Sequence, residues 1–192
     1  QRVLDRSGYP QNSHDGKTLT HILESYPRDE LFQADIDDLL EIAVGILHLQ
    51  ERQRTALFLR RDPFERFVSA MVHVPRDRYD TALRRRMEQI LADGLGGTCT
   101  AFYTTLTENP LARIQFIVAT PAGPAEEPDR EALEHELREA ARSWRDKLHA
   151  ALVERHGEPA GRARLARYGE AFPAGYRDQV AIDRALADIA HI

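Results

Sequence analysis

The chain has 192 residues, enough for one well-buried core with helical extensions, and it is 42% apolar and 30% charged, as a globular protein is. A net charge of −5 argues against a nucleic-acid partner, and no apolar run approaches the ~20 residues that a membrane helix needs. The single cysteine, Cys99, excludes an internal disulfide and reads as a small hydrophobe within a strand.

Residues 1–17 hold Gly8, Pro10, Asn12, Ser13 and Gly16 among polar neighbours, the composition of a loop. The chain starts at Gln1 without a Met and stops at Ile192 inside an apparent helix, so a longer parent polypeptide is expected. Leu19, Ile22 and Leu23 share one side of a short helix over 18–25 that Pro27 ends. In the following Arg-Asp-Glu-Leu-Phe-Gln segment, Leu31 and Phe32 either join a sheet edge or pin the chain. From Asp35 to Gln50, Ile36, Leu39, Leu40, Val44 and Leu47 recur at helical spacing behind Asp35 as a cap, with Gly45 weakening the helix by about 1 kcal/mol.

Residues 54–120 then read as strand, strand, helix, strand, strand. Two short apolar runs, 55–60 and 67–74, flank Asp62-Pro63 and predict a hairpin. In the second run Val68, Ala70, Val72 and Val74 lie on one face, and Phe67, Ser69, Met71 and His73 on the other. Over 80–95 the period becomes helical, with Leu83, Met87, Ile90 and Leu91 inward, Arg84, Arg85, Arg86 and Glu88 outward, Asp80 as cap and Gly96-Gly97 as the stop. Thr-rich residues 98–106 and an alternating run with Ile114, Phe116 and Val118 inside and Arg113 and Gln115 outside complete a four-stranded antiparallel sheet. With the helix before it and the Arg-Asp-Glu-Leu-Phe-Gln segment added as a strand, the order becomes that of a ferredoxin-like fold, from which the extra fifth strand is a departure. The predicted class is α+β, an antiparallel sheet with helices on one face and a C-terminal helical extension.

Beyond a Pro- and Gly-rich linker, residues 129–156 present Leu133, Leu137, Trp144, Leu148 and Leu152 in one stripe and predict a single long helix, ~40 Å in extent. A helix over 160–168, a turn around 172–176 and a further helix from Val180 follow. The resulting division is a flank at 1–34, an α+β domain at 35–122 and a helical region at 123–192.

Gly94-Leu95-Gly96-Gly97 partly matches a dinucleotide fingerprint, yet a helix precedes it and a strand follows, the reverse of what pyrophosphate binding needs. Eight histidines show no metal-ligand spacing, and Ser69 and Ser143 lack the surroundings of a nucleophile. Two charged clusters stand out: Arg60, Arg61 and Asp62 with Glu65 and Arg66 at the first hairpin, and Arg76, Asp77 and Arg78 at the far end of the next strand. Guanidinium groups suit a carboxylate and an Asp suits an ammonium, so either cluster is a candidate for a zwitterionic amino acid; mutual salt bridging at a domain surface is the competing reading.

The string FLRRDPFERFVSAMVHVPRDRYDTALRRRMEQIL, followed by TENPLARIQFIV, resembles the amino-terminal ACT-like regulatory region of the large bacterial NAD-specific glutamate dehydrogenases. SYPRDELFQ upstream and ARSWRDKL and RYGEAFPAGYR downstream extend the resemblance over about 19–177. It implies an ACT-like fold within a cytoplasmic, bacterial parent enzyme that oxidatively deaminates L-glutamate to 2-oxoglutarate with NAD. The catalytic core would lie far downstream, leaving this segment without a cofactor or catalytic site of its own. The expected role is regulation or assembly through the remaining domains, a homo-oligomer and an amino-acid effector, with no membrane or nucleic acid involved. The alternatives are a ligand-free assembly module and a free-standing amino-acid sensor.

Overall fold

The computed structural model describes residues 2–51, 53–106, 109–121 and 128–191. In chain order these form α1 (Arg2–Ser7), α2 (His14–Glu24), α3 (Arg28–Gln33), α4 (Ile36–Glu51), β1 (Ala56–Arg61), β2 (Phe67–Pro75), a 3-10 turn at Arg76–Arg78, α5 (Thr81–Gly94), β3 (Thr98–Thr105), β4 (Leu111–Ala119), α6 (Arg130–Ala140), α7 (Trp144–His156), α8 (Glu158–Tyr168), α9 (Ala174–Gln179) and α10 (Ile182–Ala190). The chain divides into two compact units, Gln1–Ala141 and Arg142–Ile192.

In the first unit the four strands pair antiparallel in the order β1-β2-β4-β3. The central strands β2 and β4 send Val72, Val74, Ile114, Phe116 and Val118 to one face, where Met87 and Leu91 of α5 and Leu133 and Leu137 of α6 meet them. Each such side chain, fully buried, stabilises the fold by roughly 1.5–3 kcal/mol relative to exposure. Asp80 caps α5 by accepting from the Leu83 amide at 2.7 Å. At the other end Gly96 adopts φ 60° and the Gly97 amide donates to the Ala92 carbonyl at 2.9 Å. The glycine run is therefore a helix stop, as its context in the sequence indicates.

The opposite sheet face is not left open. Ala56, Phe58, Met71 and Leu111 join a second apolar cluster with Leu19 and Ile22 of α2 and Leu39, Ile42, Ala43 and Ile46 of α4. Gly45, read from sequence as a weakness, has a packing role: a Cβ there would lie 2.5 Å from the Phe58 ring. Its absence lets the ring lie against α4.

Three readings from sequence are corrected. Much of residues 1–17 is helical: Ser13 caps α2 by accepting from the Gly16 amide at 3.0 Å, and a Cβ on Gly16 would strike the Pro10 carbonyl, so the polar small residues shape a helix start. The segment beginning at Arg28, open from sequence between a sheet edge and a pin for the chain, is α3, so of the two alternatives the strand is excluded. Asp29 and Glu30 lie in its first turn, where carboxylates complement the helix dipole. The order around the sheet is thus strand, strand, helix, strand, strand, helix, with α6 after β4. Third, the stripe over 129–156 is two helices. Asp129 caps α6, Ala141 ends it, and Ser143 begins α7 through a reciprocal capping box with Asp146. Leu133 and Leu137 serve the sheet core, whereas Leu148 and Leu152 serve a separate one.

That separate core belongs to the second unit, where Leu148, Leu152, Phe172, Ala185 and Ile189 are buried together. The Trp144 ring meets Phe172 edge-on at 5.3 Å, and Phe172 stacks on Tyr176 at 4.7 Å. Tyr176 donates its hydroxyl to Asp188 at 2.5 Å, which raises the phenol's pKa. The linker expected at 121–128 lies, but for its first and last residues, outside the described residues.

Candidate functional site

The site is the face of the sheet turned toward α2, α3 and α4. Strand register places its polar residues in rows: Arg60 opposite Ser69, Met71 opposite Gln115 and Gln115 opposite Tyr103, His73 opposite Arg113 and Arg113 opposite Thr105. Alternation alone assigns Arg113 and Gln115 to solvent. The N-terminal helices cover them, so that Gln115 is buried and Arg113 half-buried.

One end of this face is a closed network. Arg60 donates through Nε to Glu30 Oε2 at 2.6 Å and through Nη2 to Glu30 Oε1 at 3.0 Å, and both side chains are about 95% withdrawn from solvent (3% and 5% exposed). Gln115 Nε2 donates to Glu30 Oε1 at 2.9 Å and to Ser69 Oγ at 3.1 Å. The hydrogen bond to Glu30 pushes the Arg60 guanidinium further toward its charged form. Tyr26 is buried beside this network, and burial first, then Glu30, raises its phenol so that it stays neutral.

Arg60 is therefore committed to holding α3 on β1. Asp62, also buried, accepts from Arg66 Nε at 2.8 Å and Nη2 at 3.2 Å across the β1–β2 turn, and this bond keeps its carboxyl below the usual range. Arg61 is half-buried and engaged. At the opposite end of β2, Arg76 and Asp77 are exposed in the 3-10 turn, the Arg76 amide donates to the Pro110 carbonyl at 2.8 Å, and Arg78 Nη1 lies 3.5 Å from the Ala141 carbonyl. The two clusters chosen from sequence stay apart, one at each end of the sheet.

Between them the polar face opens into a cavity of about 680 Å³, walled by α2 on one side and by His73, Thr105, Leu111 and Arg113 on the other. His14, Lys17 and His21 line the α2 wall. The His73 imidazole is buried, its Nδ1 has no hydrogen-bond partner, and desolvation with the neighbouring Arg113 charge pushes its pKa down to about 3. Arg113 is pushed down by burial as well; Nη2 lies 3.4 Å from Thr105 Oγ1, and no carboxylate among the described residues reaches it. A second cavity of about 420 Å³ shares Arg113 and Thr105 and extends to Asp29, Glu30 and Tyr103. Sequence reasoning missed His73, Arg113 and Lys17 as a group, because only strand register and the docking of α2 bring them together.

No group of three or more potential metal-ligating side chains occurs among the described residues, and no described helix is long and apolar enough to cross a membrane. The glycine run fits no dinucleotide, since Gly96 and Gly97 close the carboxyl end of α5 rather than open a helix toward a phosphate.

A four-stranded antiparallel sheet with α5 and α6 on one face and a ligand-sized cleft on the other defines an α+β module of the ACT type, set between helical segments. The family comparison agrees: residues 56–145 match the glutamate dehydrogenase ACT2 domain, residues 1–52 its helical motif 1 and residues 151–192 its helical motif 2. The chain belongs to this glutamate dehydrogenase family. It is 44% identical over 192 residues to the NAD-specific glutamate dehydrogenase of Halomonas elongata, 40% over 190 residues to that of Pseudomonas aeruginosa and 35% over 192 residues to that of Mycobacterium tuberculosis. These alignments cover 100%, 99% and 94% of the chain, which spans 12% of the length of each relative.

Proposed function

We propose that this chain is a non-catalytic regulatory and assembly segment of a cytoplasmic NAD-specific glutamate dehydrogenase, an enzyme that deaminates L-glutamate oxidatively to 2-oxoglutarate. The observation that carries the reading is the buried Glu30–Arg60–Gln115–Ser69 network, which fastens the helical-motif-1 segment to the ACT2 sheet. Its polar groups satisfy one another and leave no free acid, base or nucleophile there, an arrangement that fixes geometry rather than performs chemistry. NAD and glutamate chemistry would be supplied by the remaining domains of the longer polypeptide. An amino-acid effector would act by binding two states of that enzyme unequally. The exposed turn Arg76–Asp77–Arg78 is the part of the charged clusters best placed to meet such an effector or a sister domain.

Assembly without a ligand is the second reading, favoured by strand β3. Among the described strands it pairs only with β4, and it exposes Phe102 and Tyr103 at 44% and 60%. Such an edge can meet another subunit of a homo-oligomer.

Two measurements test the proposal. The isolated chain, given L-glutamate and NAD, should form no NADH; steady turnover would overturn the non-catalytic reading. In the full-length enzyme, Asp77→Lys should change the response to amino acids or the oligomer size while leaving the unstimulated rate intact. An unaltered response and an unaltered size together would remove that turn from the function.

A further inference from the structure

We infer that the cleft between α2 and the β2–β4 face binds a small dianion, with Arg113 as its anchor and Lys17 as the second positive charge. Two arginines project from the same sheet face, and they are treated differently. Arg60 is neutralised by a bidentate carboxylate, Glu30, at 2.6 and 3.0 Å. Arg113 has a single long contact to the Thr105 hydroxyl at 3.4 Å and no carboxylate among the described residues. A guanidinium taken partly out of water without a counter-ion is unfavourable, and an oxyanion in the cleft removes that penalty.

His73 points to the same conclusion independently. It lies directly opposite Arg113 in the β2–β4 register, is 6% exposed, and carries a buried Nδ1 with no partner. A guanidinium without a counter-ion beside a buried imidazole nitrogen without a partner makes a place that an oxyanion would fill. Across the cleft, Lys17 and His21 of α2 add further nitrogen donors, and among the described residues the lining contains no Asp or Glu. The cavity, about 680 Å³, accommodates a molecule of metabolite size.

The charge count sets the ligand class. Lys17 and Arg113 stand on opposite walls, which suits two carboxylates on a short chain, or one phosphate. An amino acid is disfavoured in this cleft because no carboxylate among its described lining residues would balance the ammonium group. The inference names a ligand for the regulatory segment proposed above, yet binding itself rests on the cleft alone and is measured without turnover.

Titration calorimetry of the 192-residue chain at constant ionic strength tests it, with glutarate, inorganic phosphate, acetate and L-glutamate as the probes. Glutarate or phosphate should bind one per chain and about tenfold or more tightly than acetate; whichever of the two is tighter identifies carboxylate pairs or phosphate as the natural chemistry. L-glutamate, which differs from glutarate by one ammonium group, should bind more weakly than glutarate. Arg113→Gln should weaken the preferred dianion about tenfold or more, and Lys17→Gln, on the exposed side of a helix where the fold does not depend on it, should weaken it several-fold. Saturation by neither dianion, tighter binding of L-glutamate than of glutarate, or unchanged affinity in Lys17→Gln would each overturn the inference. The last outcome decides even if Arg113→Gln fails to fold.

Discussion

His73 of β2 and Arg113 of β4 occupy directly opposed positions of the sheet, so a buried imidazole faces a half-buried guanidinium with no carboxylate between them among the described residues. The imidazole answers by staying neutral. Its pKa falls from the ordinary 6.5 to about 3, first through desolvation and then through repulsion from Arg113. Between those two values the unfolded chain takes up a proton that the native chain refuses. The stabilisation is therefore complete above 6.5 and is lost progressively as pH falls toward 3. Urea midpoints at about pH 7.5, 6.5 and 5.5 should show it, with a slope approaching about 1.4 kcal/mol per pH unit at the acid end. His73→Leu should remove that part of the slope, so that the variant gains stability relative to wild type as pH falls. Parallel curves would mean that His73 is not held neutral by the fold.

The Glu30–Arg60 pair predicts an asymmetry between single and double substitutions. Glu30→Ala leaves a buried guanidinium without its carboxylate and should destabilise the chain by about 3–5 kcal/mol in equilibrium unfolding. Replacing both residues by Met removes the unpaired charge and should recover much of that loss. If the double variant is no better than the single one, the network contributes through Gln115 and Ser69 rather than through charge pairing.

The β1–β2 turn holds a smaller, opposite effect. Glu65 sits at φ 54°, in the left-handed region that a side chain disfavours, while its amide donates to the Asp62 carbonyl at 2.8 Å. Glu65→Gly or Glu65→Asn keeps that geometry with less strain, and either should raise stability by up to about 1 kcal/mol. A matching loss in thermal unfolding would show that the Glu65 side chain matters more than its backbone.

What was legible in the sequence follows from the range of the signal. Alternation and helical spacing are local, so Val68–Val74, Leu83–Leu91 and the strand around Ile114 stand out with their faces assigned, and the α+β class follows. Whether Arg113 faces water depends on α2, nearly a hundred residues earlier in the chain, and nothing local reports it. A separation of 30 residues likewise hides Glu30 from Arg60, which local pattern places in a surface cluster. Asp29 and Glu30 at the start of a segment behind Pro27 are a helix-start signal, and they identify α3 against a strand reading. The cleft was illegible for the same reason as its residues, since it exists only once β2 and β4 are in register and α2 covers them.

The division of the stripe over 129–156 into α6 and α7 was legible in principle. Ser143 and Asp146 are three residues apart, the spacing of a capping box, and both bonds form: the Asp146 amide donates to Ser143 Oγ at 3.1 Å, and the Ser143 amide donates to Asp146 Oδ2 at 3.1 Å. Apolar spacing continues across the break, so periodicity alone joins two helices that belong to different cores. Ser143→Ala leaves the Asp146 amide at the start of α7 without its side-chain acceptor and should cost about 1 kcal/mol. Because Leu148 and Leu152 are buried in the second unit, the loss should appear as faster amide exchange along α7, with the strands of the sheet unaffected. Hydrogen exchange read by mass spectrometry separates the two regions. Equal acceleration in β2 and β4 would show that the units unfold together, and unchanged exchange in α7 would show that the cap contributes nothing.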